Sequence, residues 1–400
     1  MTSDHSRSRR WLRRIVYGLA AFLIVFYLGG GFYFAELIHK DGLTPEMPTQ
    51  NYGVRVLVVD TDSITLDGSD RRAIEHDGTL GLRWPDGYGQ VHAIRRISGD
   101  EVSRDFTVLA GPLPPVCVDE ASCVEVDLEG YAYPSDPSDV ELIYDEVTYE
   151  TPLGPAPAWI VAPSAESTGT WAIHVHGWRA ERREAVRMLP AYADAGVTSL
   201  VVEYRNGPGA PTDPSGLIRF GRTEWADVRA AVAYAIGRGA ERVVLVGYST
   251  GAAAVMSFLE HATPESEVVV GLVFDAPNID FGRAVSVEAA RRTIPGTPFQ
   301  VPRSLTAVAK TIADLRYDVG WSEIDYVDHE GVITVPTLVF HGAADQTVPL
   351  SVSEDLAERY AALVTLIVTP GADHVQSWNI DPEEYSRSIE SFLAGLPNEA

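Results

Sequence analysis

Residues 242–258, RVVLVGYSTGAAAVMSF, decide the fold of this chain. The apolar run RVVLV predicts a buried strand, and the small-residue run AAAVMSF predicts the start of a helix. Gly247 and Gly251 flank Ser249 between them, and a sharp strand-to-helix turn needs such glycines because larger side chains would collide with neighbouring backbone. The turn would expose the Ser249 hydroxyl at the carboxyl edge of a sheet, beside the N–H groups of a helix N-terminus. The stretch therefore predicts a nucleophilic serine.

The same alternation extends along the chain on both sides of this turn. Short apolar runs are separated by helical patterns, which predicts an α/β fold with a mostly parallel central sheet covered by helices on both faces. The predicted strands are WAIHVH (171–176), SLVVEY (199–204), RVVLVG (242–247), VVVGLVFD (268–275) and TLVFHG (337–342), preceded by a hairpin of VTYE and AWIVAP. The predicted helices lie near 180–194, 222–238, 250–261, 352–363 and 381–394.

Residues 142–396 resemble the α/β-hydrolase family, in which the GYSTG sequence at 247–251 is similar to the nucleophile elbow. That family orders its catalytic residues serine, acid, histidine. The sequence AADQTVP, which follows TLVFHG, resembles the family's acid loop and contains Asp345. The sequence TPGADH, which follows LVTLIV, resembles its histidine loop and contains His374. The resemblance implies the α/β-hydrolase fold and a catalytic triad of Ser249, Asp345 and His374.

The choice of acid and base can also be examined without the resemblance. His374 is the only histidine after Asp345, so no other histidine competes for the last place in that order. Asp373 is a poor orienting acid, because an adjacent residue cannot easily reach the imidazole of its own neighbour. Asp275, at the end of VVVGLVFD, remains the alternative to Asp345, because the resemblance also implies it: some members of the family draw their acid from that earlier strand.

The chemistry of acyl transfer gives each of the three residues a role. Ser249 would attack a carbonyl carbon. His374 would take the serine proton and later return it to the leaving group. Asp345 would fix the tautomer of the imidazole and stabilise the imidazolium.

The tetrahedral oxyanion needs rigid N–H donors. The backbone amide of Thr250, the residue after the nucleophile, is expected to supply one of them. By the resemblance, His176-Gly177-Trp178 is similar to the family's histidine–glycine oxyanion motif, and the amide of Trp178 would supply the second donor. The motif differs from the HGGG pattern of one lipase branch.

No metal or organic cofactor is predicted. His174 and His176 share one face of a strand, and such pairs can bind zinc, but the sequence has no third ligand nearby and no H-E-x-x-H helix. No Walker-type or dinucleotide-type glycine loop occurs, and GPGAPTDPSG at 207–216 has prolines where a phosphate cradle needs N–H donors, so it predicts a rim beside the site. The net charge of −25 excludes nucleic-acid binding through phosphate contacts.

The uncharged run between Arg14 and Glu36 is long enough to cross a bilayer, since its twenty-one residues would span roughly 30 Å as a helix. Five arginines precede it, so the positive-inside rule keeps residues 1–14 in the cytoplasm and places the catalytic domain outside. The sequence thus predicts a single-pass membrane protein anchored by residues 15–35. The alternatives are a cleaved signal peptide, with Gly29 and Gly31 at its cleavage site, and a twin-arginine signal at SRRWL.

Three further segments complete the predicted organisation. Residues 36–52 predict a linker, and 53–135 predict a small β-rich module whose Asp-Gly pairs at 67–68, 77–78 and 86–87 favour hairpin turns. The cysteines of that module, Cys117 and Cys123, predict either a short disulfide loop or two buried thiols. Residues 278–332 predict either a cap over the nucleophile, as insertions at this place form in the family, or ordinary connecting helices.

These predictions together describe a membrane-anchored extracytoplasmic serine hydrolase that cleaves a carboxylic ester. Peptide or amide hydrolysis is the nearest alternative, because WAIHVHGWRAE and VVLVGYSTGAAA resemble both esterase and serine-aminopeptidase branches. An acyltransferase acting on envelope lipids would use the same triad, and a non-catalytic binding ectodomain would keep the same fold. The expected partners are the membrane and a small-molecule or peptide acyl substrate. The acidic ectodomain favours neutral or cationic substrates.

Overall fold

The structure is a computed structural model that describes residues 4–45, 53–68, 74–119 and 123–397, without the side chains of 4–10 and 12. Its α-helices are α1 (Asp4–Ile38), α2 (Leu189–Asp194), α3 (Trp225–Gly237), α4 (Thr250–Glu260), α5 (Phe281–Arg291), α6 (Arg303–Tyr317), α7 (Ser351–Arg359), α8 (Ser377–Ile380) and α9 (Pro382–Ala394). Its strands are β1 (Val54–Val59), β2 (Ser63–Gly68), β3 (Leu80–Trp84), β4 (Gly87–Ser98), β5 (Glu101–Ala110), β6 (Asp127–Glu129), β7 (Tyr144–Thr151), β8 (Gly154–Val161), β9 (Thr170–Val175), β10 (Thr198–Val202), β11 (Arg242–Tyr248), β12 (Val269–Asp275), β13 (Thr337–Gly342) and β14 (Val364–Thr369).

The larger sheet has eight strands in the order β14-β13-β12-β11-β9-β10-β8-β7. Neighbours from β14 to β10 pair in parallel, and β10, β8 and β7 pair antiparallel. Val244 and Val246 of β11 join one apolar cluster, whereas Val243 and Leu245 point to the opposite face and are equally buried. Both faces of the sheet are covered, which explains why its central strands are apolar at every position.

One of the helices predicted to cover this sheet is interrupted. The segment predicted as a helix over 180–194 forms a 3-10 helix, Arg182–Met188, followed by the short helix α2. Pro190 lies in the first turn of α2, where its missing N–H is tolerated. A continuous helix would place that proline in its interior and lose a hydrogen bond there.

The N-terminal module is a six-stranded antiparallel sheet in the order β1-β2-β5-β4-β3-β6, with an apolar core of its own. The Asp-Gly pair at 86–87 lies at the β3–β4 hairpin, whereas 67–68 ends β2 and 77–78 precedes β3. The β4–β5 hairpin turns instead at Gly99, whose φ is 63°. A disulfide joins Cys117 and Cys123.

The chain divides into two compact units. One comprises Met1–Thr44 and Phe281–Glu323, and the other comprises Pro45–Asp280 and Ile324–Ala400. Both sheets therefore belong to the second unit. Most of the segment predicted as a possible cap belongs to the first unit, together with the N-terminal helix, and its role as a cap stays a prediction.

The helical segment Arg13–Leu43 is long and apolar enough to cross a membrane. Residues 36–43, predicted as the start of a linker, instead continue the helix and end it in a π-helical turn, His39–Leu43. The helix extends here because Leu37 and Ile38 pack against an apolar cluster formed with α6. The predicted linker residues 46–52 lie outside the described residues.

Candidate active site

Ser249 lies in the turn between β11 and α4 with backbone angles φ 47° and ψ −115°. A non-glycine residue rarely adopts a positive φ, and such strain persists only where the surroundings impose it. Here the Ser249 amide donates to the carbonyl oxygen of Asp275 at 2.9 Å. The Asn278 amide donates to the carbonyl oxygen of Ser249 at 3.0 Å. The end of β12 and the loop after it therefore hold the serine in its turn.

The two glycines of this turn are required by close backbone contacts. A Cβ atom at Gly247 would lie 2.6 Å from the Cα of Ala252. One at Gly251 would collide with the carbonyl oxygen of Val175, at the end of β9. The absence of both side chains lets α4 begin directly against the sheet.

The structure brings Ser249, His374 and Asp345 together in one hydrogen-bonded chain. The Nε2 atom of His374 lies 2.9 Å from Ser249 Oγ, and its Nδ1 atom lies 2.8 Å from Asp345 Oδ2. Because an ionised carboxylate only accepts, Nδ1 carries the proton and Nε2 accepts from the serine hydroxyl. The three residues are 7%, 9% and 8% exposed. Asp275, the alternative acid, instead accepts from the Tyr385 hydroxyl at 3.0 Å.

The carboxylate of Asp345 is held from several sides. Its Oδ1 atom accepts from the amides of Thr347 and Val348 at 2.7 and 2.8 Å. The Nε2 atom of His341 lies 3.3 Å from Oδ2, opposite His374. Burial alone raises the pKa of Asp345, but the hydrogen bonds from His341, His374 and Val348 lower it well below its ordinary value. Asp345 is therefore an anion that can orient the imidazole.

The acidic surroundings of His374 favour its protonated form. Burial alone lowers the pKa of His374, but the hydrogen bond to Asp345 and the negative charge of Asp345 raise it above 6.5, with further contributions from Asp275 and Glu184. Burial raises the pKa of Asp275 to about 6, although the positive charge of Arg187 opposes the shift. The imidazolium that forms on proton transfer is thus stabilised by this environment.

The predicted oxyanion motif lies beside the nucleophile. A Cβ atom at Gly177 would lie 3.1 Å from the Cβ of Ser249. The amide of Gly177 donates to Oε2 of Glu184 at 2.6 Å, which fixes the backbone immediately before Trp178. Thr250, whose amide was predicted as the other donor, is the first residue of α4.

His176 supports this loop through its ring. Its Nε2 atom lies 2.5 Å from Oε1 of Glu203, and its Nδ1 atom lies 2.8 Å from the carbonyl oxygen of Gly177. Burial lowers the pKa of His176, but the charge of Glu203 and these hydrogen bonds raise it overall. Both ring nitrogens face acceptor oxygens, and this arrangement favours the protonated ring paired with Glu203.

His174 is held differently. Its ring nitrogens lie 3.0 Å from the Tyr248 hydroxyl and 3.2 Å from the Ser199 hydroxyl, and burial lowers its pKa to about 3. It is a neutral, hydrogen-bonded core histidine. Within the described ranges, no group of three His, Cys, Asp or Glu side chains could hold a metal ion.

Two buried charged residues of the site carry no motif in the sequence. Glu184 accepts from the Tyr133 hydroxyl at 2.7 Å as well as from Gly177. Arg187 donates to the carbonyl oxygen of Val375, next to His374, at 2.6 Å, and also to the carbonyl oxygen of Tyr131. Both therefore connect the site to the C-terminal end of the N-terminal module.

The predicted rim segment, 207–216, is fixed by a buried ion cluster. Arg205 donates from Nε to Asp227 Oδ2 at 2.7 Å and from a terminal nitrogen to Asp227 Oδ1 at 2.9 Å. Its other terminal nitrogen donates to Asp213, within the segment, at 3.0 Å. Asp227 on α3 is thus a buried carboxylate paired with the Arg205 guanidinium.

Comparison with known proteins agrees with this architecture. A model of the alpha/beta hydrolase family matches residues 172–388. The Pyrococcus furiosus esterase Pf2001 is similar in two crystal forms, at 19% identity and a TM-score of 0.50, covering 65% and 66% of this chain and 94% and 96% of that chain. The esterase domain of a Rhodothermus marinus protein matches at 20% identity and a TM-score of 0.42, over 63% of this chain and 97% of that one. No curated protein sequence matches the chain. The predicted α/β-hydrolase fold is confirmed.

Proposed function

The chain belongs to the alpha/beta hydrolase family, and on that basis we propose that it is a membrane-anchored serine hydrolase that cleaves a carboxylic ester outside the cytoplasm. The hydrogen-bonded chain from Ser249 through His374 to Asp345 carries the proposal. A buried serine on a strained turn, bonded to an imidazole that a carboxylate orients, is the arrangement that activates a hydroxyl for acyl transfer.

The reaction proceeds in two halves. In the first, Ser249 Oγ attacks the ester carbon while its proton moves to Nε2 of His374. The C–O bond to the alcohol then breaks, and His374 gives that proton to the departing oxygen, leaving an acyl group on Ser249. In the second half, water attacks the acyl carbon and loses a proton to His374, which returns it to Ser249 as the acid leaves. Asp345 stabilises the imidazolium in both halves.

We assign the backbone amides of Thr250 and Trp178 as the donors that would bind the negative oxygen of each tetrahedral intermediate. Two observations support this assignment. Thr250 begins α4, so its amide belongs to the unsatisfied first turn of a helix. The Gly177 amide is engaged by Glu184, which holds the adjoining peptide rigid. Donors that need no reorganisation when charge develops lower the barrier most effectively.

Two observations support the membrane location. The segment Arg13–Leu43 has the length and apolar composition of a spanning helix, and Arg13 and Arg14 precede its uncharged part. The disulfide between Cys117 and Cys123 favours an oxidising compartment for the domain that follows. Both agree with a cytoplasmic N-terminus and an extracytoplasmic site.

A substrate panel tests the reaction. The full chain in detergent micelles would be assayed with p-nitrophenyl esters of short and long acyl chains and with aminoacyl anilides, beside Ser249→Ala. Hydrolysis of the esters that is lost in Ser249→Ala supports the proposal, and a preference for the anilides would replace it with peptidase activity. Transfer of the acyl group to an added alcohol in place of water would indicate an acyltransferase.

A further inference from the structure

Helix α6 packs along the C-terminal half of α1, and the two helices run in the same direction. Near the start of α6, Ser304 Oγ lies 2.9 Å from the Tyr27 hydroxyl. Near its end, the Tyr317 hydroxyl donates to Glu36 at 2.9 Å, and Arg316 pairs with the same carboxylate. The N-terminal end of α6 therefore points towards the middle of the uncharged run of α1.

The contact is close because α1 presents glycines to α6. A Cβ atom at Gly30 would lie 3.2 Å from Leu305, and one at Gly31 would lie 2.7 Å from Val308. An apolar cluster extends the contact on both sides of these glycines. Its members are Phe26, Tyr27, Phe34, Leu37, Ile38, Ile294, Val301, Leu305 and Ala309.

The position of Tyr27 gives the depth of this contact in a bilayer. Tyr27 lies seven residues before Phe34, and Phe34 stands near the end of the uncharged run. Seven residues correspond to roughly 10 Å along a helix. If α1 spans the membrane, as proposed above, the start of α6 lies at this depth beneath the headgroups. The hairpin that precedes α6 joins the helix at this end.

This hairpin, Arg292 to Arg303, has the composition of a membrane-inserting loop. Its backbone closes through hydrogen bonds from Ile294 to Phe299 at 2.8 Å and from Val301 to Arg292 at 3.0 Å. The ten residues between the two arginines, TIPGTPFQVP, carry no charge, and their three prolines have no N–H that would need a partner in lipid. Phe299, directly after the turn of the hairpin, is 69% exposed.

The charges around the hairpin match an anionic membrane surface. Residues 289–313 contain Arg291, Arg292, Arg303 and Lys310 and no acidic residue, in a chain whose net charge is −25. Arg292 also pairs with Glu288 and Asp41 within the same compact unit. A basic collar above an uncharged tip fits phosphate headgroups above acyl chains.

We propose that the hairpin 293–302 inserts into the extracytoplasmic leaflet of the bilayer beside α1, with Arg291 and Arg292 at the level of the lipid phosphates and the Arg303 side chain extended towards them from the start of α6. The inference rests on the proposed membrane anchoring of α1. It adds a second membrane contact, made by a segment about 270 residues later in the sequence. The 281–323 segment would thereby be held at the membrane surface.

Depth-dependent fluorescence quenching tests the insertion. An environment-sensitive fluorophore would be attached to single thiols in Phe299→Cys, Leu315→Cys and Leu23→Cys of the full chain, whose native cysteines are joined in a disulfide. Each variant would be reconstituted in vesicles of phosphatidylcholine with phosphatidylglycerol, with iodide on both sides. Leu315 is the matched control, because it is an 83% exposed apolar residue at the other end of α6.

The proposal expects an iodide quenching constant several-fold smaller at position 299 than at 315, and quenching of 299 by spin-labelled lipid. Equal iodide quenching at 299 and 315, with position 23 protected, would overturn the hairpin and leave the anchor intact. Iodide access at position 23 would remove the anchor and the hairpin together. Ester hydrolysis by the same variants reports on the hydrolase separately, since none of the three positions belongs to the site.

Discussion

Asn379 and Thr79 lie 300 residues apart in the sequence and exchange two hydrogen bonds. The side-chain amide of Asn379 donates to the carbonyl oxygen of Thr79 at 2.6 Å, and the Thr79 amide donates to the backbone oxygen of Asn379 at 2.8 Å. Gln376, two residues after His374, donates to the carbonyl oxygen of Gly130 at 3.0 Å. The N-terminal module is therefore bound to the loop that carries the proposed catalytic base.

Removing the side-chain amide of Asn379 should lower both the stability of the protein and its turnover. Asn379→Ala leaves the buried oxygen of Thr79 without its side-chain partner and also removes the Oδ1 atom that accepts from Arg187 at 2.5 Å. The loss of the Thr79 bond alone is expected to destabilise the protein by about 1–3 kcal/mol. The histidine loop loses a support, so kcat should fall while KM changes little. Thermal unfolding and ester kinetics measure the two effects. Ser391→Ala, at an exposed position of α9, is the control and should change neither. An unchanged kcat in Asn379→Ala would mean that the module does not position His374.

Replacing the two candidate acids separates their roles. Asp345→Asn presents an amide to Nδ1 of His374 and favours the wrong tautomer, so kcat should fall by about 10⁴-fold. Asp275→Asn should keep kcat within about tenfold of the parent, because Asp275 bonds to Tyr385 and not to the imidazole in this structure. Both values come from steady-state hydrolysis of one ester. A large loss in Asp275→Asn with retained activity in Asp345→Asn would transfer the acid role to Asp275.

The pH dependence of the reaction should report the imidazole. His374 accepts the serine proton only when it is neutral, so kcat/KM should fall as the pH falls through its pKa. Because Asp345 raises that pKa, the midpoint should lie above 6.5. In Asp345→Asn the residual activity should have its midpoint at a lower pH. A midpoint below 6.5 in the parent protein, or no shift in the variant, would contradict the proposed ion pair.

The buried pair of Arg205 and Asp227 should be important for stability and not for chemistry. Asp227→Ala leaves the Arg205 guanidinium buried with only Asp213 as a charged partner, and the expected loss is about 3–5 kcal/mol. Asp328→Ala removes an exposed partner of Arg359 and should cost about 1 kcal/mol or less. Denaturant midpoints of the two variants measure the difference. Similar midpoints would show that the buried pair contributes no more than a surface pair.

The sequence alone predicts those features whose physical cause lies within a few neighbouring residues. Gly247 and Gly251 are needed by the turn in which they stand, and the apolar runs around them identify the central strands directly. The loops that carry Asp345 and His374 were identified by their resemblance to the acid and histidine loops of the α/β-hydrolase family, which also follow strands. The structure brings these residues within hydrogen-bonding distance of one another.

The remaining features depend on contacts between distant parts of the chain. The buried carboxylate of Glu184 is satisfied by a hydrogen bond from Tyr133, 51 residues earlier. The buried guanidinium of Arg187 is satisfied by the carbonyl oxygen of Val375, 188 residues later. His341 and Glu203 likewise gain their roles only from partners brought close by the fold. The packing of α6 on α1 depends on the absence of side chains at Gly30 and Gly31, where Leu305 and Val308 of α6 approach, and no periodicity reveals it.

Covalent labelling of Ser249 tests the central claim most directly. The full chain would be treated with a fluorophosphonate probe, beside Ser249→Ala and the exposed-serine control Ser391→Ala, and the modified peptide would be identified by mass spectrometry. The account predicts one probe on Ser249 in the parent and in Ser391→Ala, and none in Ser249→Ala. A folded parent protein that takes up no probe, or labelling that persists in Ser249→Ala, would contradict it.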